Sequence, residues 1–136
     1  MQTATQILSD FRQGRLDFRQ LASQAGTCND QVTLQNWSVQ LNSGDLVSAL
    51  EVVPNSGYSI SLLITGVMSQ DQSQLYTAQL ASVPNGPAIA GPVSALTWTA
   101  LFPGGSGTTV MGAVLGILDS PDGTSCTFSF QQEFQV

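Results

Sequence analysis

From Val32 onward, apolar side chains recur at every second position, and this alternation limits the fold more than any other feature. Successive strand side chains point to opposite faces, so a period of two marks a half-buried β-strand. Val32/Leu34 and Val39/Leu41 alternate, and the phase slips near Asn36-Trp37, which predicts a bulge. Further strand-like runs follow at 46–53, 58–65, 75–82, 96–102, 110–118 and 128–136, with Tyr58, Ile60, Leu62 and Ile64 sharing one face of the third. Pro54-Asn55-Ser56-Gly57, Pro103 to Gly107 and Ser120-Pro121-Asp122-Gly123 supply turns, and the Pro/Gly-rich stretch 83–93 supplies a loop. The pattern predicts a mainly β fold: a small antiparallel β-barrel or sandwich of about seven to eight strands behind an N-terminal amphipathic helix. The run 110–118 is apolar on both faces, so it must be covered on both sides, by the N-terminal helix or by another subunit.

Ahead of this region the period is helical. Ile7, Phe11, Gly14, Phe18, Leu21 and Ala25 fall at spacings of three and four, with Thr3 or Thr5 as cap and Gly26 as stop. Asp-Phe-Arg-Gln occurs at 10–13 and again at 17–20, which sets Phe11 and Phe18 one above the other. Gly14 weakens such a helix by about 1 kcal/mol relative to Ala and divides it into two short pieces. Two units are expected: a helical lid or docking segment over 1–26 and an antiparallel β domain over 27–136. A short helix before a small antiparallel barrel is similar, at the level of fold, to avidin-like and allene-oxide-cyclase-like barrels, although none of their motifs is present.

Charge narrows the partners. Only 9% of the residues are charged, against about a quarter in an ordinary domain, and there is neither His nor Lys. Arg12, Arg15 and Arg19 are the whole basic complement, so 21–136 carries seven acids and no cation. Such a body repels phosphate, which argues against nucleic acid and against an anionic membrane surface. A helix-turn-helix-like spacing at 21–32 fails on the same ground, because the would-be recognition helix holds Asp30 and no base. No signal peptide is visible and no apolar run is long enough to span a membrane as a helix, so the chain reads as soluble. Apolar or neutral small molecules are the expected partners, with a homo-oligomer also open. Cys28 and Cys126 are either two buried thiols or a disulfide; their position at strand edges favours the bridge.

Catalytic parts are scarce. Without His there is no Ser-His or Cys-His pair and no Cys/His metal cluster, and no metal or cofactor is implied. The glycines at 104, 105 and 107 lack the Lys that a phosphate loop requires. Glu51 is a candidate acid if it points inward with Val47 and Ala49, and a solvated residue if Leu46, Leu50 and Val52 face the core. Trp37, Tyr58, Tyr76, Trp98, Met111, Phe128 and Phe130, with Gln132 as one polar contact, are the candidate ligand-binding residues. The leading expectation is a binder of a neutral or apolar small molecule inside the barrel, capped by the helix. A cofactor-independent cyclase or isomerase that enforces a reactive conformer by shape, using Glu51 and Tyr76, is the first alternative. A lectin-like or assembly module using the outward Thr/Ser/Gln face (Thr97, Thr99, Thr127, Ser129, Gln131, Gln135) is the second.

Overall fold

In a computed structural model of the protein, the described residues are 10, 13, 17–23, 25–82 and 93–136, with the side chains of 80–82 and 93–101 outside the description. The stripe residues Ile7, Phe11 and Gly14 and the loop 83–92 also lie outside it.

Among the described residues seven strands form: β1 Val32–Asn42, β2 Asp45–Pro54, β3 Ser59–Ser69, β4 Leu75–Ser82, β5 Val93–Leu101, β6 Thr109–Asp119 and β7 Ser125–Gln135. They make two antiparallel sheets, one ordered β1-β2-β5 and the other β4-β3-β6-β7. β1 lies beside β7, and β4 beside β5. No ladder joins the two sheets among the described residues, so the expected barrel is replaced by its alternative, a two-sheet arrangement. The reason on one side is local. The outward groups of β7 at Thr127 and Ser129 bond to the segment Thr27–Asn29 that leads into β1, rather than to a strand.

Between the sheets, Leu46, Val52, Ile60, Leu63, Val67, Val110, Val114, Leu118 and Phe128 are all but inaccessible. β2 alternates strictly, with Leu46, Ser48, Leu50, Val52 and Pro54 buried and Glu51 on the opposite, outer face. In β1 the register shifts between Gln35 and Ser38, and Asn36 adopts a positive φ of 55°, which is the bulge that the slipped phase predicts. In β3 a second irregularity, between Ile60 and Leu62, was not signalled by the sequence. It turns Ile60 toward the space between the sheets and leaves Leu62 and Ile64 on the outside.

That outside face is the one covered by the N-terminal segment. Helix α1, Phe18–Ala22, begins at Asp17, whose carboxylate accepts from the backbone N–H groups of Arg19 and Gln20. Phe18 and Ala22 are buried against Leu62, Ile64, Met68, Ala113, Leu115 and Ile117. Phe18 seats directly on Gly66: a Cβ at that glycine would stand 2.6 Å from the ring. Ser129 Oγ and Gln131 Nε2 donate to the Ala22 carbonyl at 3.2 and 2.8 Å, while Arg19 donates to the Ser73 carbonyl at 2.7 Å. Part of the outward hydroxyl and amide row therefore holds the helix. Leu21 is half-buried and Ala25 exposed, so Ala22 takes the place in the buried stripe that spacing gives to Ala25. Among the described residues between α1 and β1 there is one 3-10 turn, Asn29–Gln31, and no second α-helix of the kind the helix-turn-helix spacing would need. Among the described residues no helix is long and apolar enough to cross a membrane.

Candidate functional site

The disulfide Cys28–Cys126, with Cα atoms 6.0 Å apart, ties the approach to β1 onto the start of β7. Next to it, Thr27 and Cys28 donate their backbone N–H groups to the Thr127 carbonyl at 2.9 and 3.0 Å. The Asn29 side chain then imitates a peptide group, donating to the Ser129 carbonyl and accepting from its N–H, both at 3.0 Å. Beyond Asn29 this stitching stops. From there the two sheets are linked along β1 and β7 by side chains.

Those side chains are aromatic. β7 directs Phe128, Phe130, Gln132 and Phe134 toward the other sheet, opposite Gly116, Val114, Gly112 and Val110 of β6. The bulge in β1 sends Trp37 into the same gap, where its ring meets Phe134 edge-on at a centroid distance of 5.4 Å. Gly112 makes room for both rings, since a Cβ there would lie 2.8 Å from Phe134 and 3.1 Å from Trp37. Phe130 tilts against Phe128 at 6.4 Å and, with Leu34, packs on the core. Trp37, Phe130 and Phe134 are only half-buried, and Gln132 between the two phenylalanines is exposed. Three half-buried rings and one exposed amide thus line a seam whose floor is Gly112.

The expected site residues divide among several places. Trp37, Phe128, Phe130 and Gln132 come together at or beneath this seam. Tyr58 is half-buried on the same core cluster, at the turn after β2, where its N–H donates to the Asn55 carbonyl. Tyr76 lies elsewhere, edge-on to Phe102 at 5.1 Å in the cluster built on Val39, Leu46, Val67 and Val110. Met111 faces the opposite side of β6, in the layer under α1. Trp98 pairs with Ser48 through the β2–β5 ladder, and its side chain lies outside the described residues. Glu51 pairs with Gln35 and Ser94 on the outer face of the three-stranded sheet, so it does not converge with Tyr76. Phe134 belongs to the seam and was not among the expected binding residues. Its signal was the alternation with Phe130 and Gln132 opposite a glycine.

Two acids, Asp71 and Asp122, are held ionised by the hairpin tips they sit in. In the β3–β4 turn, the Asp71 carboxylate accepts from the hydroxyls of Ser73 and Ser69, both at 2.7 Å, and from the Ser73 N–H. Those bonds, Ser73 first, hold its pKa at about 2. The β6–β7 turn repeats the construction, with Ser120, then Thr124, holding Asp122 at about 2. Both carboxylates are spent on turn geometry. Among the described residues, no three acidic or Cys side chains gather as a metal site would require.

Comparison with protein-family models and with curated proteins yields no match to this chain.

Proposed function

We propose that this chain is a binding module that takes a neutral or apolar small molecule at the seam between β1 and β7. One arrangement carries the reading: the half-buried rings of Trp37, Phe130 and Phe134 flank the exposed amide of Gln132 where the backbone stitching ends. Ligand sites are mostly apolar with a few placed polar groups, and a seam of this composition has that character. The body's lack of cations favours an uncharged ligand over an anion. Large side chains occupy the space between the sheets, which favours the rim over the interior. Because Glu51 and Tyr76 sit in separate parts of the fold, binding is better supported than cyclase chemistry.

Titration with the neutral dye Nile red, followed by the dye's own emission, tests the reading. Saturable binding is expected, weakened about ten-fold by Trp37→Ala, since an aromatic contact of this kind contributes roughly 1 kcal/mol beyond its area. Gln132→Leu should leave dye binding intact and reduce binding of neutral methyl glycosides. Absence of saturable binding for both dye and glycosides overturns the proposal.

A further inference from the structure

Past Ser129 the edge of β7, unpaired among the described residues, differs from the seam beside it: the seam is made of side chains, and the edge of backbone amides. In an antiparallel ladder, alternate residues of an edge strand turn their N–H and C=O away from the sheet. On β7 these are the odd-numbered residues, as the outward bonds of Thr127 and Ser129 demonstrate. The first two are covered in strand-like fashion by Thr27, Cys28 and the Asn29 amide. The next three, Gln131, Glu133 and Gln135, extend the same row, and no backbone hydrogen bond among the described residues engages their outward groups. All three side chains are exposed.

We infer that the β7 edge at 131–135 is a docking edge for an extended, otherwise uncharged strand that places one cation opposite Glu133. The covered half of the edge already accepts a segment in this manner, so an incoming strand would continue an existing row of bonds. Its side chains leave little against pairing: Gln131, Gln132 and Gln135 are neutral, and edges are ordinarily guarded by charge, proline or cover. Glu133 is the single guard. If two copies paired edge to edge about a two-fold axis at this residue, two carboxylates would face each other, which disfavours the pair. No cation between residue 21 and the end of the chain can answer it. The edge therefore rejects a second copy of itself and selects a basic partner. This inference is independent of the small-molecule reading, because it uses the β7 backbone and Glu133 and none of the rings of the seam.

Mixing the intact protein with its Glu133→Lys variant supplies the required cation on a strand of known sequence. Each protein alone should stay monomeric in analytical ultracentrifugation. The mixture should associate about ten-fold more tightly than either alone, weaken with added salt, and protect the amides of Gln131, residue 133 and Gln135 from hydrogen exchange. Glu133→Gln, which removes repulsion with the smallest change of shape, should associate with itself and so provides the same answer if the lysine variant folds poorly. Monomeric behaviour of both the mixture and Glu133→Gln overturns the inference. So does self-association of the unmodified protein through this edge at neutral pH.

Discussion

Gly66 and Gly112 serve the fold by lacking a side chain. Each leaves a hollow on one face of the four-stranded sheet, and each hollow is filled by rings from elsewhere in the chain. Phe18 fills the hollow at Gly66, where the Thr77 carbonyl also stands 2.8 Å from the site of a Cβ. Gly66→Ala cannot be absorbed by backbone movement on that side, so the ring must leave. The expected cost is about 1–3 kcal/mol, with α1 released from the sheet. Urea unfolding measures the first effect, and faster proteolysis after Arg19 measures the second; unchanged proteolysis would show that Phe18 is not the anchor. At Gly112 the neighbours are the tips of Phe134 and Trp37, which can rotate. Gly112→Ala should therefore cost less than Gly66→Ala while shifting Trp37 emission to the red as the indole is pushed toward water. Equal costs at the two glycines would contradict this difference between a backbone neighbour and a flexible one.

At the scale of elements, α1 is held at its start, middle and end. Asp17 caps α1, Phe18 plugs the sheet, and Ser129 and Gln131 take the last carbonyl. A five-residue helix is far too short to persist by itself, so its stability is that of its contacts. Asp17→Ala should cost about 1 kcal/mol, read as earlier proteolysis of the segment with the β domain intact. The two hairpin tips lend themselves to an acid titration. Both Asp71 and Asp122 have folded pKa values below the ordinary 3.8, so their turns are favoured above that pH and lose the benefit as pH falls toward 2. Both carboxylates are exposed, and the expected result is loosening of the tips near pH 2, seen as exchange of the Ser73 and Thr124 amides before the strands open. Strand positions were legible in the sequence because alternation is a local property, and the β1 bulge was legible because it breaks that alternation. The β3 bulge was not. Ile60, Leu62, Leu63 and Ile64 are all apolar and all buried, so a change of face leaves no trace in the pattern.

Over the whole molecule, period two states which face a residue takes but not which strand lies alongside. That is why β1–β2 and β6–β7 follow from their turns, whereas the β2–β5 and β3–β6 pairings, each between strands distant in sequence, could not be read. The seam is a consequence of those pairings. It exists because β1 and β7 end up as edges of different sheets, and its residues were recognisable as aromatic without being recognisable as neighbours. The disulfide is the one covalent link across it, joining residues 98 apart in sequence. Closing a loop of that length restricts the unfolded chain and contributes about 4–5 kcal/mol in the chain-entropy account. The Thr27–Asn29 bonds on the same edge are made by backbone and amide groups and not by the sulfur atoms. Replacing both cysteines by serine should therefore lower the unfolding free energy by about that amount while leaving the native Trp37 emission unchanged. If the emission shifts red in the native state instead, the bridge is what keeps the two sheets together at the seam, and ligand binding there should weaken in parallel. Urea unfolding and native fluorescence of the double variant, measured on one preparation, separate an effect on the unfolded chain from one on the site.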